Sequence, residues 1–187
     1  MRLVLVRHAA SEPDPALPAS AWPLGDEGRA AARALAALLP APDVLLSSPL
    51  PKAAGTAAAI ARVAGVPVRL DARLGETRGA EAWLDDHRRR AARYVAGEPV
   101  AGWEPQADAV ARVDAALRAV AASGAATVVA VTHGRVLALW LAAAATLPDP
   151  AAFWAGLRYP DAWAVEAAPG RQRWAVGSPP VRVQAAP

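Results

Sequence analysis

Leu3-Val4-Leu5-Val6-Arg7-His8-Ala9-Ala10-Ser11 is the stretch from which the rest of the chain is read. Four consecutive apolar, mostly branched residues predict a fully buried strand. Such a strand runs into water at its carboxyl end. There it delivers an arginine and a histidine side by side, followed by a short polar turn. Alone the dipeptide is weak evidence, because histidines at strand ends are common and mostly inert. Its weight depends on what the other strands deliver.

Proline at 13, 15, 18 and 23 makes residues 12–23 a loop, since each ring removes a donor and fixes φ. A helix is predicted over 26–39 with Asp26 as its N-cap and Pro40 as its stop. A second strand at 43–47 turns through Ser47-Ser48-Pro49-Leu50 into a helix over 51–64, closed by Gly65. A short third strand follows at 66–70, with its exit loop at 73–77. Residues 82–96 are read as a helix carrying the basic run His87-Arg88-Arg89-Arg90 with Arg93, and 107–122 as a long helix. The fourth strand, 127–131, exits at Thr132-His133-Gly134 into a helix over 135–147. A hairpin of 161–167 and 172–176 turns at Pro169-Gly170, and the Pro-rich tail from Gly177 is expected to be loose.

Strand then helix, repeated, predicts an α/β fold, a three-layer α/β/α sandwich with a mainly parallel sheet and an antiparallel C-terminal edge. One domain over 1–187 is expected, with a short lid-like segment at about 78–105. In such sheets the site lies beyond the carboxyl ends of the strands. Those ends carry Arg7-His8, Ser47-Ser48, the loop bearing Glu76, and His133. Lys52 sits in the first turn after the second strand, and Gly134 and Arg135 begin the helix after the fourth. Two histidines, cations, a carboxylate and two helix N-termini on one edge predict an anion site.

Composition narrows the classes. Of 187 residues 55% are hydrophobic and 20% charged, which suits a packed core. The pI near 10.1 suggests nucleic acid, but the formal charge is only +3. Nearly all the cations are arginine and alanine is abundant, the pattern of a GC-rich coding sequence rather than of a nucleic-acid face. The absence of cysteine excludes disulfides, thiolate chemistry and cysteine metal sites. A strand beginning within two residues of Met1 argues against a cleavable leader, and the apolar run 136–147 is too short to span a bilayer. A cytoplasmic protein is expected.

Five motifs in this order resemble the histidine phosphatase superfamily, also called phosphoglycerate-mutase-like. Leu-Val-Arg-His-Ala-Ala-Ser-Glu is similar to its opening Arg-His-Gly motif, and Leu24-Gly25-Asp26-Glu27-Gly28 to its Leu-Thr-x-x-Gly helix start. Residues 47–57 resemble its Ser-Ser-x-Leu-x-Arg-Ala-x-x-Thr-Ala segment. Leu74-Gly75-Glu76 with Gly79 and Trp83 resembles Leu-x-Glu…Gly-x-Trp, and Val131-Thr132-His133-Gly134 its Ser-His-Gly. Ala9 stands where the family has glycine, and Ala10 where a polar residue is common. Lys52, the chain's single lysine, replaces the arginine that grips phosphate. It keeps the charge and loses the bidentate fork.

The resemblance implies hydrolysis of a small or medium phosphomonoester with neither metal nor cofactor. His8 would be the nucleophile and form a phosphohistidine. Arg7, Lys52, His133, Gly134 and Ser11 would hold the phosphoryl group, and Glu76 would be the proton donor, with a pKa expected above that of an ordinary glutamate. Three other readings stay open: a phosphoglycerate mutase, a phosphohistidine phosphatase acting on proteins, and a non-catalytic phosphate-binding or interaction module on the same fold. The partner implied is a small phosphorylated molecule rather than nucleic acid or membrane, with monomer or homodimer open. Each residue also has a plainer reading. Glu76 would be a loop ion pair with Arg73 or Arg78, Ser11 a turn former, and the 87–93 run a solvated helix face rather than a lid. Trp22, Trp83 and Trp103 would be core anchors rather than a rim, and Arg112 and Asp108 structural.

Overall fold

A computed structural model describes residues 1–79, 86–144, 147, 149–169, 174–176 and 181–182. Its first half runs β1 (Arg2–Arg7), α1 (Asp26–Ala36), β2 (Val44–Ser47), α2 (Pro51–Ala64) and β3 (Val68–Leu70). Helices α3 (His87–Val95) and α4 (Gln106–Ala121), strand β4 (Thr127–Thr132) and helices α5 (Gly134–Ala144) and α6 (Pro150–Ala155) follow. Strands β5 (Asp161–Pro169), β6 (Trp174–Val176) and β7 (Val181–Arg182) close the chain.

The order across the sheet is β3-β2-β4-β1-β5, with β6 and β7 both pairing to β5. Pairs β1–β4, β2–β4 and β2–β3 are parallel, and β5 is antiparallel to β1. Leu3, Val4, Leu5 and Val6 have no solvent exposure, as a strand covered on both faces requires. Alternation divides them: Leu3, Leu5, Val44, Leu46, Val128 and Ala130 pack with α3, α4 and α5. Val4, Val6, Leu45, Val129 and Val131 pack with α1 and α2 on the other side. Each such side chain contributes roughly 1.5–3 kcal/mol of burial, so a one-residue register slip is strongly opposed.

That register places the site. Arg7 pairs with Thr132 across β1–β4, and Ser47 with Val131 across β2–β4. Past these rungs the His8 amide donates to the Thr132 carbonyl and the Ser48 amide to the Val131 carbonyl, each at 3.0 Å. His8, Ser48 and His133 therefore leave three adjacent strands at one level.

Several expectations are corrected. Gly25, not Asp26, is the N-cap of α1; Asp26 lies inside the helix and pairs with Arg29. Helix α6 was not anticipated, although Asp149-Pro150 signals it: the Asp149 carboxylate accepts from the Ala152 amide and Pro150 takes the first turn. The tail is not wholly loose, because Arg182 of β7 reaches the buried Asp161 carboxylate at 3.1 Å. Residues 82–85 of the helix expected over 82–96, Trp83 among them, and Gly170 of the hairpin turn lie outside the described residues. No described helix is long and apolar enough to cross a membrane.

Gly28 shows how tightly α1 meets the loop after His8. A Cβ added there would stand 2.0 Å from the Ala10 carbonyl oxygen. Helix propensity alone favours alanine by about 1 kcal/mol, whereas overpacking costs about 1–3 kcal/mol. Against backbone the second effect wins, so Gly28→Ala is expected to lower stability in urea denaturation. A gain in stability would show that the loop gives way freely.

Candidate active site

Beyond these strand ends lies a cleft of about 380 Å³, lined by Arg7, His8, Ser11, Lys52, Glu76, His133 and Gly134 among others. All seven residues read from the sequence as the site thus face one cavity, and the His8 and His133 rings are 5.0 Å apart.

His8 is buried, and its Nδ1 lies 2.7 Å from the Ala9 carbonyl. A carbonyl only accepts, so Nδ1 carries the proton. Burial first, then the fields of His133, Lys52 and Arg7, hold the ring well below its ordinary pKa of 6.5. The neutral ring then has its lone pair on Nε2. Thr56 fastens the loop behind it, accepting from the Ala9 amide at 3.0 Å and donating to the Lys52 carbonyl at 2.8 Å.

His133 has no solvent exposure, and its Nε2 lies 2.9 Å from the Ser48 hydroxyl. With its own proton directed at the ring, that hydroxyl, which also accepts from the Leu50 amide, donates to Nε2. Nδ1 is then the protonated nitrogen, and it is buried without a partner among the described residues. Burial, helped by Lys52, Arg135 and Arg112 against the pull of Glu76, lowers the His133 pKa to about 3. His133 is a neutral donor here.

The cations are held individually. Arg7 lies 3.5 Å from the centre of the Tyr159 ring and donates to the Leu157 carbonyl at 2.9 Å. A Cβ on Gly134 would come within 3.0 Å of Arg7 Nε, so the glycine makes room for the guanidinium. Lys52 donates from Nζ to the Ala19 carbonyl at 2.8 Å, which leaves two of its N–H bonds for the cleft. Ser11 pairs its backbone with Leu24 and lines the same cleft.

Glu76 departs from two expectations. Its ion partner is neither Arg73, which pairs with Asp71 at 2.6 Å, nor Arg78, whose amide donates to Glu104. Arg135 takes that place, with Nε 3.5 Å from the carboxylate and its backbone amide at 3.3 Å. Nor is the carboxyl pKa raised. Burial pushes it up, but Arg135, His133 and the amides of Thr77 and Arg135 outweigh burial and hold it well below the usual carboxylate range. With these partners Glu76 is ionised.

Other residues matter beyond those read from the sequence. Arg112 donates to the carbonyls of Arg73, Gly75 and Glu76 at 2.7–3.0 Å and pairs with Glu104, so its structural role is to hold the Glu76 loop. His87, read as part of a solvated face, lines the cleft and accepts from Arg135 at 3.0 Å. Trp22 does rim the cleft, whereas Trp103 packs beneath Arg135 at 4.8 Å. The position of Arg135 next to Gly134 hinted at a role, but spacing could not name its partner. Tyr159 carried no sequence signal.

The sequence matches the family model of the histidine phosphatase superfamily (branch 1) over residues 3–176. No curated protein matches it significantly. Similar solved structures include "Mycobacterial hydrolase 1", with 27% identity, TM-score 0.77, and 95% of this chain and 97% of that one covered. A mycobacterial glucosyl-3-phosphoglycerate phosphatase gives 28% identity and TM-score 0.76, covering 94% and 96%. TTHB049 from Thermus thermophilus gives 28% and 0.64, with both chains covered in full.

The neutral His133 has a thermodynamic consequence. Between about 3, its pKa in the folded protein, and 6.5 the unfolded chain binds a proton that the folded protein excludes. Stability therefore falls as pH drops through that window, by about 1.4 kcal/mol per pH unit for one such group. Denaturation across that range is expected to give a shallower pH dependence for His133→Asn than for the wild type. Equal slopes would mean that His133 is protonated in the folded protein.

Proposed function

This chain belongs to the histidine phosphatase superfamily, branch 1, and on that premise we propose that it hydrolyses phosphomonoesters through a phosphohistidine on His8. The observation that carries the proposal is the Nδ1–H···O=C bond to Ala9, which leaves an unprotonated Nε2 in a cleft walled by cations. Phosphoryl transfer asks mainly for in-line positioning and for positive charge around three oxygens. Arg7, Lys52, His133 Nδ1–H and the N-terminus of α5 at Gly134 supply it, and Ser11 adds a hydroxyl. His8 Nε2 attacks phosphorus as the bond to the leaving oxygen breaks. The negative charge of a bound phosphoryl group opposes the Arg135 field and raises the Glu76 carboxyl. The carboxylate then takes up the proton that a monoanionic substrate, with its second ionisation at about 6, brings with it. It passes that proton to the leaving oxygen. In the second step the same carboxylate takes a proton from the water that attacks the phosphohistidine, which returns His8 neutral.

The similar mycobacterial structure is a phosphatase, which favours hydrolysis over mutase chemistry. Many arginines outside the cleft are occupied locally, in pairs such as Arg73–Asp71, Arg93–Glu98 and Arg118–Asp114, which argues against a nucleic-acid face. The substrate is taken to be a small phosphorylated molecule in the cytoplasm, bound by one domain with residues 78–105 as its lid-like segment.

Leaving-group chemistry tests the roles. Rapid-quench kinetics with p-nitrophenyl phosphate are expected to show a burst and phosphate on His8; His8→Ala loses both. Glu76→Gln should keep much of that burst, since p-nitrophenolate leaves without a proton. On an alkyl phosphate it should lose roughly 10²–10⁴ in rate. Turnover surviving in His8→Ala, or equal losses on both substrates in the rate of the burst phase, would overturn the assignment.

A further inference from the structure

Among the groups read as phosphoryl ligands, Arg7 is the one with a planar fork, so its value depends on how the guanidinium is turned. Its Nε has no partner among the described residues, which leaves that N–H for an oxygen in the cleft. Two contacts set the plane of the group. The Leu157 carbonyl accepts from Nη1 at 2.9 Å, and the centre of the Tyr159 ring lies 3.5 Å from the guanidinium carbon. Both belong to the loop 156–160 between α6 and β5, and Tyr159 itself is half exposed.

A cation from the far end of the chain holds that loop. Arg182 on β7 donates from Nη2 to the Gly156 carbonyl at 3.0 Å and meets the Asp161 carboxylate at 3.1 Å, so it spans the two ends of the loop. Its guanidinium packs 4.8 Å from the centre of the Trp163 ring, the residue paired with it across β5 and β7. Asp161 opens β5 directly opposite Arg7 and is buried; its carboxylate also accepts from the amides of Arg158 at 3.1 Å and Ala162 at 3.2 Å. The Arg158 side chain stands farther off, at 3.7 Å, and is 61% exposed against 26% for Arg182. Arg182 is therefore the main counter-charge, and a buried carboxylate is costly without one.

We propose that Arg182 is a positioning residue for phosphate binding. By bridging Gly156 and Asp161 it fixes the loop 156–160, and through Leu157 and Tyr159 it holds the Arg7 guanidinium turned toward the phosphoryl oxygens. This rests on the reading of Arg7 as a phosphoryl ligand and adds a residue that never enters the cleft. Ordering the grip before the ligand arrives removes that cost from binding.

The test is the affinity for orthovanadate, measured by calorimetry so that it does not depend on turnover. Arg182→Met keeps the apolar stem and removes the charge, and is expected to weaken binding roughly tenfold. Because that change strands the Asp161 carboxylate, Arg182→Met/Asp161→Asn is measured beside it; with no buried charge left, the double variant should show the same loss. On an Arg7→Lys background, where the fork is already gone, Arg182→Met should cost nothing further. Wild-type affinity in the double variant, or an equal tenfold loss on Arg7→Lys, overturns the proposal: the first breaks the link to Arg7, and the second makes Arg182 a general prop. Separately, p-nitrophenyl phosphate left intact by a protein with the expected vanadate pattern would overturn the phosphatase reading and leave the role of Arg182 standing.

Discussion

The parallel pairing of β1 with β4, in register from Arg2↔Thr127 to Arg7↔Thr132, is what the candidate site hangs from. Because both strands are buried on both faces, a slip of one residue would expose a complete set of apolar side chains. The hydrophobic core thus fixes where each strand stops, and the residues just past the stops, His8 and His133, are brought edge to face. Ser48 leaves β2 at the same level and meets His133 Nε2 at 2.9 Å. The geometry of the candidate site is a by-product of sheet register.

The second constraint is electrostatic. Burial disfavours charge on both histidines, and the surrounding cations push the same way, so both are neutral where a solvated histidine would titrate near neutrality. Glu76 experiences the same burial, yet it is a carboxylate, and Arg135 with two backbone amides reverses the outcome. One field therefore produces two neutral imidazoles and one ionised carboxylate. Arg112 maintains the arrangement from behind by gathering three carbonyls of the Glu76 loop.

Much of this was legible in the sequence because it rests on local signals. The run 3–6 announced its buried strand, and Pro51 and Gly65 marked the two ends of α2. All seven expected site residues line the cleft: Arg7 ends a strand, His8 and His133 directly follow one, Lys52 and Gly134 open helices, and Ser11 and Glu76 lie in the loops after β1 and β3. What sequence could not supply were pairings across long separations. Arg135 meets Glu76 over 59 positions and His87 over 48, and Arg112 reaches the Glu76 loop from α4. Hence the expected Glu76 pKa had the wrong direction, and His87 was placed in solvent rather than at the cleft. The N-cap of α1 was misplaced by one residue because Gly25 takes the extended backbone that the cap requires.

The central claim is that His8 is a neutral imidazole with its proton on Nδ1 and its lone pair on Nε2. Long-range ¹H–¹⁵N correlation spectra of histidine-labelled protein, titrated across neutral pH and assigned with His8→Ala, measure that state directly. The account predicts that His8 gives the Nδ1–H pattern and that its nitrogens do not move as pH passes 6.5, its ordinary pKa. An imidazolium signal at neutral pH, or the proton on Nε2, would contradict it.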